Sequence, residues 1–142
     1  NNEEFEYEQD LNTMSRRYKD FIMLYLLSII IKRFEADAAP LTAHELAIRD
    51  HLPIRLVNRL LGRMVATGLL REVFTENEEE RRYQPALDTH KISVGMVIDR
   101  IDAQGTELFL QNPSEEMVNF WENYTKMKEK DTTLNQILVN EL

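Results

Sequence analysis

Residues 40–86, PLTAHELAIRDHLPIRLVNRLLGRMVATGLLREVFTENEEERRYQPA, constrain the fold more than any other stretch of the chain. Thr42-Ala43-His44-Glu45 is a capping box. The Thr42 hydroxyl can accept from the backbone N–H of Glu45, and the Glu45 carboxylate can reach back to that of Thr42. A short helix follows to about Asp50. After the turn at His51-Leu52, Pro53 suits the first position of a helix, where its missing N–H would have had no partner. That helix runs to Thr67 and stops at Gly68, where a left-handed residue costs Gly little. Leu69–Thr75 then reads as a strand, 76–80 as a turn and Arg81–Ala86 as the returning strand. Helix, turn, helix and hairpin in this order predict a winged helix-turn-helix.

The remaining chain supplies flanking helices, so the fold class is mainly α (α+β), with a two-strand wing. Ser15 is a candidate N-cap for a helix to about Ala36. Ile22, Tyr25, Leu26, Ile29, Ile30 and Phe34 lie on overlapping apolar faces of that helix, so it must be buried on several sides. Helices are also expected at Ser93–Asp102 and Ser114 to about Lys130, and a second capping box at Thr133-Leu134-Asn135-Gln136 starts a last short one. Residues 1–14 carry five acids and no base, and Phe5, Leu11 and Met14 join their end to the helical spacing that follows. Three segments result: an acidic segment at 1–14, a winged-helix domain at 15–104 and a C-terminal helical extension at 105–142.

Placed at about 100° per residue, the helix after Pro53 sorts into two sides. Val57, Leu60, Leu61, Met64 and Val65 face inward. Arg55, Asn58, Arg59, Gly62, Arg63 and Ala66 face outward. Arg55, Arg59 and Arg63 thus form a ridge at four-residue steps, with Asn58 beside it, and no acid lies between Pro53 and Arg71. Arginine can fork guanine or phosphate, and asparagine can pair with adenine. Gly62 on this face costs about 1 kcal/mol against Ala in a helix interior and would let another backbone approach. Against DNA readout stands the wing tip, Glu76-Asn77-Glu78-Glu79-Glu80, whose four carboxylates would meet phosphates. The overall charge of −8 points the same way. Nucleic acid is therefore set second, behind a protein partner or an anionic membrane surface.

Other chemistry is sparsely signalled. With no cysteine in 142 residues, disulfides, zinc–thiolate sites and iron–sulfur clusters are excluded. His44, His51 and His90 show no metal-ligand spacing, no two of the four glycines are close enough for a phosphate loop, and no nucleophile motif is present. No catalytic residue, metal or cofactor is expected. Phe21–Ile31, the longest apolar run, is shorter than the about 20 residues that span a bilayer. Met117, Phe120, Trp121, Tyr124 and Met127 form one stripe, open to two readings: packing on the first helix, or a homodimer contact through the C-terminal helix.

Two resemblances follow. Leu46–Asp102 resembles the iron–sulfur winged-helix repressors, in the helix followed by Gly68-Leu69-Leu70, the wing, and Lys91-Ile92-Ser93-Val94. Their tail is similar to the Trp121 helix with Thr133–Leu138, but their cluster cysteines are absent here. The chain looks closer to the cytoplasmic C-terminal domain of BrkB/YihY-type (ribonuclease BN-like) bacterial membrane proteins. That likeness rests on Ser15–Phe21 through Lys32–Glu35, on Leu52–Val57 and on Tyr83–Ala86, and covers residues 3 to about 104. It implies a non-catalytic regulatory or interaction domain on the cytoplasmic side of an inner membrane, part of a longer membrane protein; the opening Asn1-Asn2-Glu3-Glu4, without Met, fits such a fragment. The alternatives are a DNA-binding winged-helix transcription regulator and, by family label only, part of a tRNA-processing ribonuclease.

Overall fold

The computed structural model describes residues 12–76, 80–107 and 110–142. The expected acidic segment therefore falls largely outside the described residues, as do Phe5, Leu11, and Asn77, Glu78 and Glu79 of the wing tip. Among the described residues, five α-helices surround a three-stranded sheet: α1 (Arg16–Glu35), β1 (Leu41–Thr42), α2 (Ala43–Arg49), α3 (Ile54–Ala66), β2 (Leu70–Val73), β3 (Arg82–Pro85), α4 (Val94–Asp102) and α5 (Glu115–Lys130). Short 3₁₀ turns at Thr89–Lys91, Thr133–Gln136 and Val139–Glu141 complete the chain. This is the winged-helix arrangement.

α1 starts where the Ser15 hydroxyl accepts from the Tyr18 N–H at 3.2 Å. Ile22, Met23, Leu26, Leu27 and Ile29–Ile31 are all buried, so this helix is the centre of the core. α2, α3, Tyr83 of β3 and α4 close around it with Leu46, Val57, Leu60, Leu61, Met64 and Val97. The apolarity of α1, from which burial on several sides was expected, is accounted for by this position. No helix among the described residues is long and apolar enough to cross a membrane.

The capping box forms as its residues require: the Glu45 N–H donates to Thr42 Oγ1 at 3.1 Å and the Thr42 N–H to Glu45 Oε1 at 3.2 Å. Pro53 sits one place earlier than expected, as the N-cap of α3 rather than its first residue. At the other end Gly68 takes φ +76°, and the Leu69 N–H closes the turn on Met64 O at 2.9 Å.

The sheet has one strand more than the sequence suggested. β3 lies in the middle, with β2 antiparallel on one side (Arg71 opposite Gln84, Glu72 opposite Tyr83) and β1 on the other (Leu41 opposite Tyr83, Thr42 opposite Arg82). β1 therefore ties the entry of the helix-turn-helix to the wing. Pro85 has no N–H to donate, and its neighbour Ala86 supplies the next bond, to Leu69 O at 3.0 Å.

The C-terminal segment returns to the core. Val94 N–H donates to Ile137 O at 2.8 Å and Val139 N–H to Ile92 O at 3.0 Å, and Val139 is fully buried. The capping box expected at Thr133 does not form. Residues 133–136 make a tighter 3₁₀ turn without a side-chain cap, because Asn135 is seated against Gly95 of α4 and the Ser93–Leu138 bridge fixes the exit. Tertiary contact wins over the local signal here.

Candidate nucleic-acid interface

α3 presents two parallel rows to the outside, both at four-residue steps. Arg55, Arg59 and Arg63 form one; Ile54, Asn58 and Gly62 form the other. Arg55, Asn58, Arg59 and Gly62 are exposed and Arg63 is half-buried, while Leu56, Val57, Leu60, Leu61 and Met64 pack inward. The ridge expected from the sequence is thus on the surface, one helix thick above the core. Arg63 Nε donates to Gln104 Oε1 at 3.4 Å, which steadies that end. Arg59 makes no hydrogen bond or ion pair with another described residue. Residues 51–71 hold four arginines and no acid, a basic island in a chain of net charge −8.

Ile54, Asn58 and Gly62 line an open groove of about 640 Å³ between α3, the start of α2 and the wing. Its wing-side wall carries Glu72, Glu80, Arg81 and Tyr83. A Cβ at Gly62 would meet nothing within 4 Å, so the groove floor is open there. Burial raises the Tyr83 phenol above its ordinary pKa, with Glu72 adding to the effect, so the ring stays neutral in the wall.

Arg81 and Arg82 follow the acidic wing tip directly in the chain. Arg82 Nη1 donates to Pro40 O at 2.7 Å and to Glu45 Oε1 at 3.1 Å. Arg81 Nη1 donates to Glu72 Oε1 at 3.3 Å. With the Gln84 amide oxygen turned toward it, Arg71 donates to that oxygen from Nε at 2.7 Å and Nη2 at 2.8 Å. These arginines bind the wing to itself and to the capping box of α2. The Glu45 carboxyl is held below its usual pKa, first by the hydrogen bond from the Thr42 backbone and then by Arg82.

His44 and His51 border one shallow hollow beside α2. Among the described residues no group of three or more His, Asp or Glu is placed to hold a metal ion.

α5 is not part of the core. It has no buried residue, Phe120 is 74% exposed, and Met117, Trp121, Tyr124 and Met127 are exposed with it. Trp121 and Tyr124 rings lie 6.1 Å apart, and the Lys128 ammonium stands 5.7 Å above the Tyr124 ring. Packing of this stripe on α1, one of its two readings, does not occur among the described residues. α1 keeps its own uncovered aromatic row, Tyr18, Phe21 and Tyr25.

No family model and no curated protein sequence matches the chain. Its fold is similar to that of solved winged-helix proteins. A structure of IscR from T. potens is 18% identical with a TM-score of 0.57, covering 91% of this chain and 85% of that one. A Listeria innocua protein assigned as a transcriptional regulator is 21% identical with a TM-score of 0.51, over 87% of this chain and 78% of that one. CymR, the global cysteine regulator of B. subtilis, is 15% identical with a TM-score of 0.51, over 89% of this chain and 92% of that one. At such identities the likeness establishes the fold.

These findings reorder the resemblances drawn from sequence. The winged-helix relation holds, and the link to BrkB/YihY-type membrane proteins has no support. Placement on the cytoplasmic side of an inner membrane, as the tail of a longer membrane protein, is overturned. The helix that was to follow a transmembrane span is the core helix of the domain, and the fold likeness to regulators extends over nearly the whole chain. Setting nucleic acid behind other partners is likewise not upheld.

Proposed function

We propose that the chain is a non-catalytic, DNA-binding winged-helix transcription regulator that reads duplex DNA with α3 and acts as a two-fold dimer through α5. The observation that carries this reading is the outward face of α3: Arg55, Asn58, Arg59, Gly62 and Arg63 on the second helix of a helix-turn-helix, in a stretch with four arginines and no acid. The fold neighbours named as regulators support it.

The acidic wing is compatible with such binding if the phosphates follow the arginine row and the wing stands away from them. The arginines of the wing are engaged internally, so they do not pull it onto the backbone. For the dimer, the occupant of the α5 stripe is a second copy. Residues 115–122 carry three acids and no base, whereas 123–130 carry three lysines and one acid. Antiparallel pairing would set Glu115 and Glu116 against Lys126 and Lys130 of the partner, with Phe120 and Trp121 covered between them.

Fluorescence anisotropy with a labelled mixed-sequence duplex tests the DNA reading. Binding at low salt should weaken as salt rises, each phosphate-neutralising arginine adding about 0.9 to the log–log slope. The Arg55→Ala, Arg59→Ala, Arg63→Ala triple variant should bind weakly with a flatter slope. No binding by the wild-type chain at micromolar concentration, at low salt, refutes it.

A further inference from the structure

We infer that the Ile54–Asn58–Gly62 row, and not the arginine ridge, sets the sequence preference of α3, and that it selects an A·T pair with a thymine methyl close by. The inference rests on the DNA reading above. Three observations carry it.

The first is chemical. Asn58 is exposed and makes no hydrogen bond to another described residue, so its carboxamide offers a donor and an acceptor side by side. In the major groove only adenine presents a matching acceptor and donor, N7 and N6–H₂, on one base; guanine shows two acceptors. Ile54, one turn earlier and 41% exposed, has nothing to hydrogen-bond. Its counterpart in that groove is the C5-methyl of thymine.

The second is electrostatic. On the opposite wall of the groove that Ile54 and Asn58 line, Arg81 pairs with Glu72 and Glu80 leaves one carboxylate in excess, so a phosphate finds no net attraction there. Base edges, which carry no net charge, need none. Phosphates are then left to the row of Arg55, Arg59 and Arg63, turned about 100° around the helix.

The third is room. Nothing lies within 4 Å of a Cβ placed on Gly62, so the next turn of α3 leaves the groove floor clear beside Asn58. Residues four apart on a helix have Cβ atoms about 6 Å apart, and base pairs rise about 3.4 Å along each strand. The thymine met by Ile54 therefore lies within two base pairs of the adenine met by Asn58.

The test begins with selection of a preferred site from a random duplex library by the full chain. Competition binding at one fixed salt concentration then compares the selected duplex with single-atom analogues. Replacing the key adenine by 7-deaza-adenine removes N7 and should weaken wild-type binding about 5- to 150-fold. The Asn58→Ala chain should be indifferent to that replacement. Deoxyuridine for the thymine within two base pairs should weaken wild type by a smaller factor and leave Ile54→Ala unaffected. Equal urea midpoints for the two variants and wild type establish that they are folded. If no duplex is bound, the DNA reading and this inference both fall. If a selected site is bound but Asn58→Ala discriminates among the analogues as wild type does, the inference alone is overturned.

Discussion

Gly62 and Gly95 are both helical glycines, and helix propensity alone makes the same forecast for each: alanine should stabilise by up to about 1 kcal/mol. The structure separates them. At Gly62, in the middle of α3 and facing the groove, an added Cβ meets nothing within 4 Å. The propensity gain should appear undiminished. For a chain of this length 1 kcal/mol corresponds to a rise in Tm of about 3 °C. At Gly95, in the first turn of α4, an added Cβ would lie 2.9 Å from the Asn135 backbone nitrogen and 3.0 Å from its Cγ. The obstruction includes backbone, so it cannot be cleared by a rotamer change.

Overpacking of this kind costs about 1–3 kcal/mol, and the propensity gain is smaller in a first turn. Gly95→Ala should therefore be net destabilising, by about 1–2 kcal/mol, with the loss arising from displacement of the 133–139 segment and its buried Val139. Urea unfolding of both variants at one protein concentration reads the two signs directly, since a dimer would otherwise make the midpoints concentration-dependent. Shifts in the same direction would refute the reasoning, whichever direction that is.

Two further outcomes follow from the same geometry. Glu45 has its folded pKa lowered, so its contribution is present above the ordinary carboxylate value of about 4.3 and is lost as pH falls through the lower folded value. The gap in urea midpoint between wild type and Glu45→Gln should accordingly be open at pH 7 and close below about pH 4. For the α5 stripe, Phe120→Glu places a charge in the proposed two-fold contact. Sedimentation at tens of micromolar should show a dimer for wild type and a monomer for the variant; a wild-type monomer throughout that range removes the dimer.

The parts of the fold that were legible in the sequence are those written by local chemistry. Ser15, Thr42, Ser93 and Ser114 all cap helices with their hydroxyls, and Gly68 turns left-handed where a helix must end. Each signal needs only a residue and its neighbours three or four places away. β1 was illegible because two residues show no periodicity; Leu41–Thr42 becomes a strand only when β3 arrives beside it. The role of Arg82 was hidden for a related reason. Its partners, Pro40 and Glu45, are distant in sequence, so a residue joining α2 to the wing reads as surface charge. The Met117–Tyr124 stripe could not be assigned because core and interface demand the same helical spacing. Only the three-dimensional position of α5, with no residue buried, sets the core reading aside.

The charge distribution bears on how such a protein would find its site. Nonspecific DNA affinity comes almost wholly from phosphate contacts, and an acidic body with an acidic wing holds that term down. The basic stretch at 51–71 supplies attraction at one face only. Discrimination depends on the ratio of specific to nonspecific binding, set against the large number of competing sites, and not on the specific affinity alone. A wing of opposite charge would add affinity equally to every sequence and leave that ratio unimproved. The carboxylates of the wing likewise lower affinity for every sequence alike, so on the reading proposed above any preference among sequences has to come from base edges meeting Ile54 and Asn58.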